Sequence, residues 1–412
     1  MKLTVEEQAI VGGSEGKVRQ KAMELLVHYG ESVGAEKLID TNNVCGDIRL
    51  ATVLSMFNLE SSELSDFPSV KAYSCQMEIG FDPEQWQLQG VTQEQYEAQV
   101  ADEAFAASIG VNQLCTCAPY LVGNVPVKGE HCAWLKSSSV VYVNSVLGAR
   151  TNGESSEITL AAMLTGKIPY WGLHLPENRL GTHLINVEWE VKSALDWELL
   201  GYYTGQLVKT GKPVFYSIQH VPNLVRLKGL SAALQAASEC ELFHIPGITA
   251  EARNLNDVFG GKRPLDVLRF GKAERMLAFD MLNACAHDST VDWVILGCPH
   301  CLLEELGEIC RLLAGRKVHS NVSLWIFTPR ALKAVADRTG YTRIISEAGG
   351  VLMSDACPAQ GRVKPQGAKV VATNSAKLAH CLTGSPGMQC WFGSMANCIS
   401  AAVTGKWQGE LK

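Results

Sequence analysis

The pattern of apolar and polar positions predicts helices at the start of the chain. Thr4 is followed three residues later by Glu7, a spacing typical of a capping box, in which both side chains satisfy free backbone N–H groups at a helix start. Between residues 16 and 29 apolar side chains recur at helical spacing, and Gly30 follows. We therefore predict a capped helix after Thr4 and an amphipathic helix over residues 16–29.

From residue 140 onward, short apolar or β-branched runs alternate with helix-like stretches. The runs predicted to be strands are residues 140–143, 214–218, 292–296, 322–327 and 351–353. Continuous apolar runs are typical of strands that helices cover on both faces. The pattern therefore predicts an α/β fold with largely parallel or mixed sheets. Turn residues at 211–213 are the candidate boundary between two lobes, residues 1–211 and 212–412.

Composition and charge narrow the class of partner. The 412 residues are 47% apolar and 19% charged, and 36 Lys and Arg against 42 Asp and Glu give a net charge of −6. A nucleic acid or an acidic membrane surface requires concentrated positive charge, which this chain lacks, so we expect a small-molecule partner. Glu6 and Glu7 interrupt any N-terminal leader, and no run of ~18 apolar residues follows. We therefore expect a cytoplasmic protein with no membrane partner and with most of its 14 cysteines reduced.

Three cysteines lie where strands are predicted to end. Cys298 follows the run at 292–296, Cys357 follows the run at 351–353, and Cys117 lies in a turn-forming stretch. Ligands of open α/β sheets bind at the carboxyl ends of strands. Thiolates from separate loops suit an iron–sulfur cluster, and three of them leave one iron open to substrate. The alternative is that each is a buried packing residue, as cysteines commonly are.

Other cysteine patterns favour other chemistry less well. Cys298 and Cys301 have the C-x-x-C spacing of a redox pair or half a zinc site, but no second pair completes it. A zinc- or thiol-based enzyme and an RNA-binding, iron-dependent regulator remain the competing classes of function. The cysteines expected in helical core positions are Cys285, Cys310, Cys381 and Cys398.

Several longer motifs resemble the aconitase X family. They are TCAPYL at 116–121, NSVLGARTN at 144–152, GLHLPENR at 172–179, LFHIPGIT at 242–249, GCPH at 297–300, NSAK at 374–377 and AAVTGKW at 401–407. The resemblance spans nearly the whole chain, residues 1–412. It implies an aconitase-like fold of several α/β/α domains and a hydro-lyase (dehydratase). It also implies an iron–sulfur cluster, [2Fe-2S] or [4Fe-4S], on Cys117, Cys298 and Cys357.

The resemblance also implies a partner. Some family members carry a small swivelling domain, which others encode as a separate small subunit that is thought to supply the catalytic base. This chain resembles the large subunit alone, lacking the swivelling domain. We therefore expect it to need a small subunit for activity.

Two small hydroxy acids are associated with the family. Bacterial members convert cis-3-hydroxy-L-proline to Δ1-pyrroline-2-carboxylate, and archaeal two-subunit members dehydrate mevalonate 5-phosphate. Where archaeal members tend to show a Ser-Gly-Val-Ser-like turn and an Asn-Pro pair, this chain has Gly46 with Asp47, and Met77 with Glu78. The acidic side chains would repel a phosphate and attract an ammonium group. We therefore expect hydroxyproline, with mevalonate 5-phosphate or another hydroxy acid as the alternative.

Further polar residues are candidates for substrate chemistry. Arg150 suits bidentate carboxylate binding, and Lys377 and His174 could polarise substrate or transfer protons. The remaining candidates for substrate binding are Gly46, Asp47, Glu78, Asn144, Ser145, Thr151, Asn152, Glu177 and Arg179. Structural ion pairs, turn chemistry or loop bracing would explain the same residues without a substrate. His300, beside Cys298, is either an outer donor to a cluster or a helix cap.

Overall fold

The computed structural model describes residues 1–384 and 387–411. The first part of the chain combines a parallel sheet with helices. Its helices are α1 (Val5–Val11), α2 (Lys17–Ser32), α3 (Leu50–Phe57), α4 (Gln93–Ser108), α5 (Ser138–Tyr142) and α6 (Ser156–Thr165). Its strands are β1 (Leu38–Asp40), β2 (Asn43–Gly46), β3 (Tyr73–Gln76), β4 (Cys132–Leu135), β5 (Gly153–Glu154) and β6 (Lys167–Pro169). Strands β3-β2-β4-β5 pair in parallel, and β1 pairs with β6 antiparallel.

The two helices predicted at the N-terminus are confirmed. The Glu7 N–H donates to Thr4 Oγ1 at 3.2 Å, and the Thr4 N–H donates to the Glu7 carboxylate at 2.9 Å. This reciprocal cap fixes where α1 begins. Helix α2 covers the predicted segment and continues to Ser32.

The second part of the chain holds a three-stranded parallel sheet in the order β8-β7-β9. Its elements are β7 (His183–Val187), α7 (Ala194–Val208), β8 (Pro213–Tyr216), α8 (Leu224–Ala237), α9 (Leu255–Phe259), β9 (Asp266–Phe270) and α10 (Lys272–Leu282). Helices α7 and α8 pack against each other. The turn at Gly211 joins α7 to β8, which pairs with β7 from before the turn. The division into two lobes at this turn stays a prediction.

The third part is a five-stranded, fully parallel sheet in the order β12-β11-β10-β13-β14. Its strands are β10 (Trp293–Leu296), β11 (Ser323–Thr328), β12 (Val351–Ser354), β13 (Val370–Thr373) and β14 (Gln389–Phe392). Its helices are α11 (Leu303–Leu313), α12 (Arg330–Thr339), α13 (Tyr341–Ala348), α14 (Pro358–Gly361), α15 (Ala376–Thr383) and α16 (Met395–Thr404). The strands predicted from the runs at 292, 322 and 351 are confirmed as β10, β11 and β12.

One predicted strand is wrong. Residues 140–143 form α5 and the start of a π-helical turn at Val143–Leu147. Every residue of α5 is buried, and the helix packs against α8. A helix that is apolar on all sides shows no periodicity, so a short β-branched run of this kind reads like a buried strand.

The three parts share one apolar core. It contains Trp134 of the first sheet, Phe215 of the second and Ile295 of the third, all essentially inaccessible to solvent. Burial on this scale makes the parts pack as one unit around the carboxyl ends of β3, β10 and β12. Among the described helices we find none with the length and apolar character needed to cross a membrane.

Candidate active site

The three strand-end cysteines line one cavity of about 290 Å³. Cys298 lies between β10 and α11, and Cys357 is the N-cap residue of α14 after β12. Cys117 reaches the cavity from the first part of the chain, where the Cys115 N–H donates to the Gln76 carbonyl at the end of β3. The structure therefore brings together, from three separate loops, the thiols that the sequence singled out.

Gly297 allows the Cys298 loop to approach β11. Its φ is +99°, and a Cβ atom there would lie 2.2 Å from the Phe327 carbonyl oxygen. Any side chain would collide with that carbonyl, so this turn requires glycine. The close approach directs Cys298 toward the cavity.

The three thiols are protonated when no metal is bound. Burial raises the pKa of Cys298 to about 11 and that of Cys357 to about 12, although Lys377 opposes both shifts. Burial likewise holds the pKa of Cys117 well above its ordinary value. A metal centre would have to displace these protons, since the thiolate is the ligand.

Lys377 and Glu78 complete the polar lining of the cavity. Lys377 lies in the first turn of α15. Burial alone would lower its pKa, but the thiolate forms of Cys298 and Cys117 and the Glu78 carboxylate would outweigh that effect and raise it. Burial raises the pKa of Glu78, and Glu78 Oε2 has no hydrogen-bond partner among the described residues. The cavity thus holds a cation and a proton-accepting group whose hydrogen bonding is incomplete.

The cavity also contains residues that the sequence did not assign to the site. These are Lys136, Ser137, Gln360 and Cys381. Lys136 pairs with Glu239 beside the cavity, and Cys381 is exposed on α15, so the expectation that Cys381 is a core residue is wrong. Lys136 could have been found from its position. It begins the Lys-Ser-Ser sequence directly after β4, and so lies at the carboxyl end of a strand, as Cys298 does.

Gly46 and Asp47 lie beside this cavity and do not line it. A Cβ atom on Gly46 would lie 2.6 Å from Thr159 Oγ1, so this glycine permits close packing of β2 on α6. Asp47 accepts hydrogen bonds from Arg49 Nε at 2.9 Å and Gln76 Nε2 at 2.8 Å. Its negative charge is therefore already paired, and a role for it in substrate binding stays a prediction.

The remaining candidates lie away from this cavity, and those other than exposed Glu177 take part in hydrogen bonds between neighbouring loops. They are Asn144, Ser145, Arg150, Thr151, Asn152, His174, Glu177 and Arg179, and the residues lining the cysteine cavity include none of them. Buried Arg179 donates to Glu251 at 2.6 Å and to the Asn144 carbonyl at 2.9 Å. Such bonds brace the loops around it.

The candidate catalytic groups among these remaining candidates make several contacts, although Arg150 Nε and His174 Nε2 have no hydrogen-bond partner among the described residues. Arg150 Nη1 donates to the His174 carbonyl at 3.2 Å, and Arg150 Nη2 lies 3.9 Å from Glu251. His174 Nδ1 lies 3.0 Å from His131 Nδ1, and burial lowers the pKa of His174 to about 3. Glu177 is exposed. Neither Arg150 nor His174 lines the cysteine cavity, so the proposed chemistry does not use them. Their catalytic roles stay predictions.

Glu154, near these residues, has a raised pKa that should make the stability of the chain depend on pH. Burial raises the pKa of Glu154 from 4.5 to about 7, although the Tyr29 hydroxyl donates to it at 2.9 Å. The folded chain thus binds this proton more tightly than the unfolded chain, so stability falls as the pH rises from about 4.5 through 7. Glu154→Gln should reduce that loss by roughly 1–3 kcal/mol. Denaturant unfolding at about pH 5 and about pH 8 measures it. Exposed Glu157→Gln is the control, and an equal pH dependence in all three chains would refute the assignment.

The cavity offers three thiols, which are the usual ligands of an iron–sulfur cluster. Within residues 1–384 and 387–411, no three His, Cys, Asp or Glu side chains lie close enough to hold one metal ion together. A single zinc ion needs its sulfur ligands at about 2.3 Å from one point. A cluster instead spreads its thiolates over several irons, so thiols from three separate loops suit it.

Comparisons with known proteins show which family this chain resembles. Models of the aconitase X first, second and third domains match residues 1–177, 181–280 and 291–404. The phosphomevalonate dehydratase large subunit of Methanocaldococcus jannaschii is 37% identical, over 92% of this chain and 94% of that protein. The cis-3-hydroxy-L-proline dehydratase of Hypocrea jecorina is 31% identical, over 100% of this chain and 70% of that protein.

A solved structure extends the similarity to three dimensions. The crystal structure of Thermococcus kodakaraensis aconitase X in its holo-form superposes with a TM-score of 0.83 at 32% identity, covering 98% of this chain and 100% of that chain. The aconitase-like α/β fold expected from the sequence is thereby confirmed. Matched along nearly its whole length by family models and relatives, the chain belongs to the aconitase X family.

Proposed function

We propose that this chain is the large subunit of an iron–sulfur dehydratase, a hydro-lyase that acts on a small hydroxy acid together with a separate small subunit. The convergence of Cys117, Cys298 and Cys357 on one cavity with Lys377 carries the proposal. Relatives whose names identify them as dehydratase large subunits support both the reaction class and the partner.

The three cysteines would hold the cluster, [2Fe-2S] or [4Fe-4S]. When bound, the cluster supplies a Lewis-acidic iron for a substrate oxygen. The His300 N–H already donates to Cys117 Sγ at 3.3 Å, a contact that would stabilise a thiolate. Apolar walls from Met77, Leu135 and Ile295 limit access of water to the same cavity.

Lys377 would bind the substrate carboxylate. Dehydration removes a proton from the carbon next to that carboxylate while the β-hydroxyl leaves as water. A buried ammonium stabilises the negative charge that develops on the carboxylate as the proton departs. The base that takes this proton would come from the small subunit, as the family resemblance implies.

For the substrate we propose cis-3-hydroxy-L-proline. Loss of its α-proton and 3-hydroxyl gives an enamine, which tautomerises to Δ1-pyrroline-2-carboxylate, with one water released. Glu78 supports this choice because its Oε2 atom lies buried at the cavity with no hydrogen-bond partner in the described part of the chain, and it could accept from the ring ammonium. The same carboxylate would repel a phosphate.

Mevalonate 5-phosphate is the second candidate. The relative from Methanocaldococcus jannaschii is named for that substrate. It shares 37% identity with this chain, and the match covers 94% of the relative's length. Lys136 also lines the cavity, where Glu239 pairs with it, and Asp47 is already paired with Arg49. A substrate with two anionic groups would engage Lys377 and draw Lys136 away from Glu239.

Offering both substrates to the chain co-purified with its small subunit decides between them. We expect release of Δ1-pyrroline-2-carboxylate from cis-3-hydroxy-L-proline, and a higher KM for that substrate in Glu78→Gln because the ammonium loses its partner. Turnover of mevalonate 5-phosphate alone would contradict the proposed substrate and leave the reaction class intact. Turnover of neither, with the cluster present, would indicate another hydroxy acid.

A further inference from the structure

The imidazole of His300 bridges two cysteine segments while its backbone belongs to the third. Its Nδ1 atom lies 3.0 Å from the hydroxyl oxygen of Thr116, the residue before Cys117. Its Nε2 atom lies 2.9 Å from the carbonyl oxygen of Ala356, the residue before Cys357. His300 itself follows Cys298 by two residues, so one side chain links all three loops.

The direction of each hydrogen bond follows from chemistry. A carbonyl oxygen only accepts, so Nε2 carries the proton and donates to Ala356. In the neutral imidazole Nδ1 is then an acceptor, and the Thr116 hydroxyl donates a hydrogen bond to it. That hydroxyl oxygen in turn accepts from the Ala118 N–H at 3.1 Å. The chain of hydrogen bonds is complete, and its members are buried, with His300 2% and Thr116 0% exposed.

Lys228 fixes the outer side of the same loop. This buried residue of α8 donates to the Pro299 carbonyl at 3.2 Å, the His300 carbonyl at 2.8 Å and Glu305 at 2.6 Å. The His300 loop is therefore held from behind by the second part of the chain. The His300 ring, on the other side of the loop, contacts the Thr116 and Ala356 segments.

We propose that His300 is a positioning residue that keeps the three cysteine segments in register as one cradle, before any metal enters. The inference rests on the proposed function, in which the three cysteine segments together bind an iron–sulfur cluster. His300 acts through Thr116 and Ala356 and does not itself bind substrate. Outer partners of this kind typically change metal affinity by about 10–100-fold when they are lost.

Three substitutions separate the two links of the ring. His300→Asn keeps an acceptor near Nδ1 for Thr116, His300→Gln keeps a donor near Nε2 for Ala356, and His300→Leu removes both. His244→Gln is the matched control, since His244 is also buried and also contacts a backbone carbonyl, that of Arg179 at 2.7 Å. Its site lies outside the cysteine cavity.

Two measurements on each chain test the proposal. The first is the rate at which a chelator removes iron from the anaerobically reconstituted chain, well below its unfolding temperature. We expect about 10–100-fold faster loss in His300→Leu, smaller increases in the Asn and Gln variants, and wild-type behaviour in His244→Gln. The second is hydrogen exchange in the metal-free chain, where His300→Leu should accelerate exchange at residues 115–118, 297–301 and 355–358 together.

Iron loss and exchange in His300→Leu that match those of His244→Gln would overturn the proposal. If His300→Leu does not fold, the Asn and Gln variants decide by the same comparison. Failure of the wild-type chain to take up iron and sulfide would refute the proposed function instead. The exchange measurement would then still decide whether His300 joins the three segments.

Discussion

Cys298→Ser is expected to remove iron and acid-labile sulfide from the chain, whereas Cys301→Ser should retain both. The two thiols are close in sequence but face different surroundings. Cys298 lines the cavity with Cys117 and Cys357. Cys301 is 0% exposed and packs in the apolar core of the five-stranded sheet. Serine is a poor ligand for iron, so a substitution should remove iron only where the cysteine lines the cavity.

Loss of a cluster ligand should reduce turnover more than loss of a residue such as His300, which only positions the ligands. We expect dehydratase turnover of the complex to fall by more than about 100-fold in Cys298→Ser, and likewise in Cys117→Ser and Cys357→Ser. Iron, sulfide and turnover are measured on each chain beside Cys301→Ser. Equal iron in Cys298→Ser and Cys301→Ser would rule out the proposed ligand set.

Lys377→Met should abolish most of the turnover while the chain keeps its iron. Methionine approximates the length of lysine without its charge, so packing in α15 changes little. The substrate carboxylate then loses the cation that stabilises the transition state, for which about 10²–10³-fold in turnover is typical. Steady-state kinetics and iron content of the same preparation measure both effects.

Lys369→Met provides the control for this substitution, because Lys369 is exposed and does not line the cavity. It should retain wild-type turnover and iron. Two results would count against the assignment of Lys377. Unchanged turnover would exclude it from the chemistry, and a parallel loss of iron and turnover would make it a structural support for the cysteines.

Three of the five strands of the third part, β10, β11 and β12, were predicted because each combines an apolar run with a turn signal, whereas β13 and β14 were not predicted. Strand β10 is followed by Gly297, and all its residues are buried, as expected for a strand covered on both faces. The first sheet was not predicted, since β2 and β4 are only four residues long and contain Asn43, Cys45 and Cys132 in place of aliphatic runs. Helix α5 was mistaken for a strand for the opposite reason, because its residues are all buried.

Residues of the site were predictable where strand ends mark them. Cys298 and Cys357 follow predicted strands, whereas Glu78, just beyond the unpredicted β3, was singled out only through the family resemblance. The positions of Arg150 and Arg179 were not predictable, because both pair with Glu251, which is far away in the sequence. Local sequence shows that a loop is polar, but long-range packing decides whether it faces a cavity or another loop.

Cys117, Cys298 and Cys357 are proposed to hold an iron–sulfur cluster. The decisive measurement is the content of iron, acid-labile sulfide and zinc in the anaerobically purified chain. The proposed function predicts iron with matching sulfide and little zinc. Zinc in place of iron, or no metal after anaerobic reconstitution, would contradict the claim.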